Sequence, residues 1–138
     1  MQPRPVQNPQ PPRDEIVFSH PSEQEFARIL DFYGIAWRYE NTTFPLRWDE
    51  QGHVIEAFTP DFYLVEQDLY VELTTLRQKL MRMKHRKIRR IHELYPEVRI
   101  RLWNRNDLVR LLEHYGLAER SAELVGKEAV ENGNTHTQ

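Results

Sequence analysis

The stretch that decides the reading is Thr59-Pro60-Asp61-Phe62-Tyr63-Leu64, followed after a polar break by Leu69-Tyr70-Val71-Glu72-Leu73-Thr74. Both runs are short and rich in aromatic and branched residues. Pro60 opens the first, and Glu66-Gln67-Asp68 separates it from the second. This pattern predicts two strands joined by a tight turn, and a turn this short makes them antiparallel. Asp61 and Glu72 lie eleven residues apart, so they fall side by side at one end of the pair. Two adjacent carboxylates repel unless something neutralises them. A hard divalent cation does so, and oxygen donors suit Mg²⁺ or Mn²⁺. Taken alone, Asp61 also reads as a strand-start residue after Pro60, and Glu72 as a solvent-facing member of an alternating strand. Their joint placement points to metal chemistry.

Working outward, Phe26, Ile29, Leu30 and Tyr33 share one helical face, which predicts a helix over 21–33 with Ser19 or Ser22 as cap and Gly34 as its end. Strands are expected over 36–40, 43–48 and 54–58, with a turn at 49–53. After Thr74 a helix is predicted over 76–94, closed by Pro96, and then a strand over 98–103. That helix is long enough to return the last strand to the same sheet. Further helices are expected over 107–115 and 118–125. The fold class is therefore α/β: helix, three or four strands, helix, strand, with a central mixed sheet flanked by helices on both faces.

The chain has 138 residues, enough for one domain. The Pro- and Gln-rich residues 1–13 read as a disordered tail, 14–117 as the domain, and 118–138 as a short helix with a disordered end. There is no cysteine, which excludes disulfides, thiolate metal sites and cysteine nucleophiles. No apolar run reaches membrane-spanning length, and the N-terminus lacks the apolar core of a secretory signal, so no membrane partner and a cytoplasmic location are expected. The six histidines show no zinc spacing, and no Gly-rich phosphate loop is present. The net charge of −2 hides an asymmetry. Residues 14–72 carry 13 acids and 3 bases, whereas 73–117 carry 12 bases and 4 acids. Phosphate partners need local positive charge, not a positive total.

The order of elements and the motifs Pro60-Asp61 and Val71-Glu72-Leu73 resemble the PD-(D/E)XK superfamily of restriction-endonuclease-like nucleases. That family's core is helix, three strands, helix, strand. Its motif places an Asp at the start of the second core strand and Glu-X-Lys on the third, with an extra Glu often on the first helix. The resemblance covers about residues 20–117 and departs from the motif at Thr74, where the family usually has Lys. It implies a Mg²⁺- or Mn²⁺-dependent endonuclease that hydrolyses phosphodiester bonds of nucleic acid, DNA before RNA. Asp61, Glu72 and the Leu73 carbonyl would hold the metal, and Glu23, one turn before Phe26, is favoured over Glu25 as the helix carboxylate. The missing lysine would come from the second helix. Lys84 is favoured by its inward face, and Lys79 stays open because it lies nearer the end of the sheet that carries the carboxylates. Gln78 resembles a Gln that some members carry there. The implied partners leave open a homodimer, whose two sites would cut two strands, and an accessory subunit of a larger complex. Thr74 keeps a second reading open: a catalytically silent module of the same fold that binds nucleic acid or regulates a partner.

The second helix also carries Arg77, Arg82, Arg86, Lys87, Arg89 and Arg90, with Glu93 as the only acid before Pro96. Unpaired like charges on a helix are mildly unfavourable. A nucleic-acid backbone would offset them, so these residues and Gln78 are the expected contacts.

Overall fold

The computed structural model describes residues 2–74, 77–104, 106, 107 and 110. In chain order they form β1 (Val6–Gln7), a 3₁₀ turn (Arg13–Glu15), α1 (Pro21–Phe32), β2 (Trp37–Tyr39), β3 (Thr42–Trp48), β4 (Val54–Phe58), β5 (Phe62–Leu64), β6 (Leu69–Leu73), α2 (Gln78–Leu94) and β7 (Ile100–Trp103). The helices expected over 107–115 and 118–125, and the C-terminal tail, lie largely or wholly outside the described residues. Among the described residues no helix is long and apolar enough to cross a membrane.

Helix α1 begins at Pro21, whose ring presets the helical φ. Its N-cap is His20, without a side-chain capping bond, so neither Ser19 nor Ser22 plays the expected capping role. Glu23, Phe26, Ala27 and Leu30 make its buried stripe. Gly34 follows with φ +69°, the left-handed region that a Cβ disfavours. Nothing lies within 4 Å of where that Cβ would sit. Gly34→Ala is therefore expected to destabilise by only about 1 kcal/mol, through backbone strain alone. Urea unfolding would read this as a small fall in midpoint, and a loss several times larger would contradict it.

The strands divide into two sheets, not the single central sheet expected from the sequence. One has the order β2-β5-β6-β7 and the other β1-β3-β4. The break lies at Glu40, whose φ of +48° turns the chain sharply between β2 and β3. β2 stays with β5, pairing Trp37 with Leu64 and Tyr39 with Phe62. β3 leaves and buries Phe44 and Leu46 with Ile88 and Ile91 of α2. β5 and β6 form the expected antiparallel hairpin, with Phe62 opposite Val71. After α2 the chain returns as β7, parallel to β6, with Leu102 opposite Glu72. The four-stranded sheet is thus mixed.

Alternation along β6 and β7 builds the layers. Leu69 and Val71 belong to a cluster with Phe26 and Leu30 of α1. Tyr70, Ile100 and Leu102 belong to the cluster that holds α2 and β3. α1 therefore covers one face of the mixed sheet, while α2 and the smaller sheet cover the other. Burial on α2 is confined to its second half. Ile88 and Ile91 are buried, whereas Leu80 and Met83 remain 37% and 40% exposed.

The N-terminal segment is not wholly irregular. Val6 and Gln7 pair with Thr43 and Thr42 at the edge of the smaller sheet. The Asn8 amide donates to the Glu40 carbonyl and to Thr43 Oγ1 at 2.9 and 3.0 Å. Polar side chains satisfied by neighbouring main chain order this segment without an apolar core of its own.

Candidate functional site

Asp61 ends the loop before β5, and Glu72 lies near the end of β6. The ladder that sets Phe62 opposite Val71 brings the two acids to the same end of the hairpin, as expected. They are locked together through main-chain donors. The Asp61 N–H donates to Glu72 Oε1 at 3.0 Å, and the Leu73 N–H donates to Asp61 Oδ2 at 3.0 Å. Each carboxylate thus accepts from the strand that carries the other. Both are buried, with 8% and 6% of their surface exposed. Carboxylates this buried, facing each other, need a counter-charge.

Lys84 supplies it. From α2 its Nζ reaches Glu72 Oε2 at 3.1 Å and donates to the Leu73 carbonyl at 2.8 Å. Thr74 is exposed at the rim, with its own N–H bound to the Trp103 carbonyl at 3.0 Å. Lys84, on the inward side of α2, thus brings the positive charge that lies against Glu72. Lys79 is exposed and is not among the residues lining the groove.

Glu23 forms another wall. Its position in the apolar stripe of α1 buries it, and it accepts hydrogen bonds from the Tyr39 hydroxyl and the Ser19 N–H. Glu25, by contrast, is exposed. It borders an adjoining hollow of about 180 Å³ with Phe26, Ile29 and Trp103. Tyr39→Phe would leave buried Glu23 one donor short, with an expected loss of about 1–3 kcal/mol. Denaturant unfolding of Tyr39→Phe beside Glu23→Gln/Tyr39→Phe checks this. The double variant should recover part of the loss, because a neutral amide tolerates the missing donor, and an unchanged single variant would show that Glu23 is not dependent on Tyr39.

The reading from sequence missed Glu40. Strand alternation gave it the same outward direction as Arg38, and only the left-handed backbone turns it into the site. A groove of about 620 Å³ is lined by Glu23, Glu40, Asp61, Glu72, Leu73, Thr74, Arg77 and Lys84, among others. Burial, and then the charge of Glu23, raise the Glu40 carboxyl above its ordinary pKa. Burial, followed by the charge of Glu72, pushes Asp61 up to about 8. Burial also raises Glu72, against the opposing effect of Lys84. The groove therefore holds more acid than its cations balance.

Among the described residues, no three His, Cys, Asp or Glu side chains are grouped to hold a metal ion. A metal at this position would rest on two carboxylates and one carbonyl. Those hard oxygen donors suit Mg²⁺ or Mn²⁺.

The basic helix is less free than its sequence suggests. Arg86 is paired with Glu56 of β4 at 2.7 Å. Arg90 donates to the Leu46 carbonyl at 3.1 Å and pairs with Glu93 at 3.1 Å. Lys87 lies 5.9 Å from the centre of the Phe58 ring. Gln78, Arg82 and Arg89 are exposed, and Arg77 reaches the groove. Glu93 lies on the helix itself, but Glu56, which balances Arg86, comes from another element that local spacing does not reveal.

Comparison with protein-family models, curated proteins and solved structures finds no match. The functional reading therefore rests on the site itself.

Proposed function

We propose that this chain is a metal-dependent nuclease of the PD-(D/E)XK type, hydrolysing phosphodiester bonds of nucleic acid, DNA before RNA. One observation carries the reading: Asp61, Glu72 and the Leu73 carbonyl meet in one groove with a lysine ammonium against two of them. Mg²⁺ or Mn²⁺ held by those three groups would lower the pKa of a bound water and stabilise charge on the phosphoryl oxygens. Burial and the charge of Glu72 raise the Asp61 carboxyl, and a divalent ion held there would take the place of its proton. The Asp61 N–H fixes one oxygen of Glu72 and leaves the other, which now faces Lys84, to a cation. Arg77, at the groove, meets the incoming phosphate. Glu23 and Glu40 raise the negative field that favours a divalent ion.

The test is calorimetric titration of Mn²⁺ into the wild type and into Asp61→Asn/Glu72→Gln, with plasmid nicking in parallel. Binding and nicking by the wild type, both lost in the double variant, are the expected result. A wild type that binds no Mn²⁺ would reject the nuclease.

One observation favours a second reading. Lys84 already neutralises Glu72 and occupies the Leu73 carbonyl, so the site is closed internally without a metal. On that reading the chain is a catalytically silent module that binds nucleic acid or regulates a partner. It predicts DNA binding that falls steeply with salt, since phosphate contacts release counterions, and no dependence on Mn²⁺.

A further inference from the structure

The cation position is already taken by the protein's own charge. Lys84 Nζ lies 2.8 Å from the Leu73 carbonyl oxygen and 3.1 Å from Glu72 Oε2. The nuclease reading assigns both atoms to the metal. An ammonium and a divalent ion cannot share them, because two positive charges at that spacing repel strongly where water is scarce. We propose that Lys84 is a built-in competitor for the metal: it holds the site in the metal-free protein, is displaced when a divalent ion binds, and is thereby released toward the phosphate. This rests on the nuclease reading and adds to it an order of events.

The geometry favours displacement over coexistence. A lysine at position 74 would project from the strand itself, beside the metal ligands. Thr74 removes that option, and the charge arrives instead on a flexible four-carbon stem from α2. The Lys84 side chain is 22% exposed, against 8% for its partner Glu72. Its neighbours Leu80 and Met83 on the same helix are themselves exposed. The ammonium can therefore swing into the groove without repacking the core, while the carboxylates stay fixed by their main-chain donors.

A competing lysine and a supporting one affect metal binding with opposite signs. Removing a lysine that helps hold the metal site together would weaken binding. Removing a competitor strengthens it. Mn²⁺ would be titrated by calorimetry into the wild type, Lys84→Met and Lys84→Gln at one pH and ionic strength. Met keeps the stem and Gln keeps a polar end, so the pair guards against a single variant that fails to fold. Both are expected to bind Mn²⁺ at least about tenfold tighter than the wild type. In the wild type, Mg²⁺ should also speed acetylation of Lys84, read by mass spectrometry, as the amine leaves its partners. Equal or weaker binding by the two variants would overturn the competitor role and leave the nuclease reading standing. Absence of Mn²⁺ binding in all three proteins would remove the nuclease reading, and this inference with it.

Discussion

Asp61→Asn is expected to lower metal-dependent hydrolysis by about a thousandfold or more, because it removes a ligand charge that the metal and the phosphoryl transition state both rely on. The same substitution should make the metal-free protein more stable at alkaline pH. The Asp61 carboxyl is raised from 3.8 to about 8 in the folded protein, first by burial and then by the charge of Glu72. The folded state therefore binds this proton more tightly than the unfolded chain. The resulting stability is fully present below pH 3.8 and is lost as pH rises through about 8. At about 1.4 kcal/mol per unit, the loss is on the order of a few kcal/mol. An Asn carries no such proton, and its carbonyl can still accept from the Leu73 N–H. Urea midpoints in a chelating buffer at pH 5, 7 and 9 should fall steadily for the wild type and less for the variant. Parallel curves would show that Asp61 is not a strained group.

Phe62→Ala should have a large effect on stability. Phe62 is fully buried, with its ring centre 5.1 Å from Phe26, 5.4 Å from Trp37 and 5.5 Å from Tyr39. It joins α1 to the mixed sheet directly beside Asp61. Truncation leaves a cavity and breaks these ring contacts together with one to Phe18 at 6.3 Å, for an expected loss of about 3–5 kcal/mol. That is a large share of the stability of a domain this size, about 5–15 kcal/mol. Phe44→Ala, in the cluster that holds α2, should cause a comparable loss. The two differ at the site. Phe62→Ala frees the Glu23 wall and the Asp61 main chain, so it should also weaken Mn²⁺ binding at temperatures where the variant stays folded. If both variants bound metal as the wild type does, the aromatic cluster would be shown to support the fold without positioning the site.

Much of the arrangement was legible in the residues. The alternation from Leu69 to Leu73 and the brief Glu66-Gln67-Asp68 break dictate a hairpin, and a hairpin with that spacing brings Asp61 and Glu72 to one end. Pro21 and Gly34 mark the ends of α1, and its apolar period places Glu23 on the buried side. Period and spacing are local properties, so they survive without knowledge of the rest of the chain. The inward face of α2 favoured Lys84 without excluding Lys79, because a helix that must bury Ile88 and Ile91 carries Lys84 round with them.

Other features came only with the tertiary structure. The split into two sheets depends on the left-handed backbone at Glu40, and a strand pattern does not announce a turn that an acidic residue adopts. The same turn brings Glu40 into the groove, where the sequence assigns it no role. The partners of the basic helix are equally non-local: Glu56 lies thirty positions before Arg86, so a count of acids along the helix overstates its free charge. The sequence by itself determined the hairpin, the helices α1 and α2 and the end of the sheet where the two acids meet, because each follows from period, turn length and side-chain direction. Only the tertiary structure decided which cation answers those acids and which atoms it touches, because that depends on how far a flexible lysine stem reaches across the interface between α2 and β6.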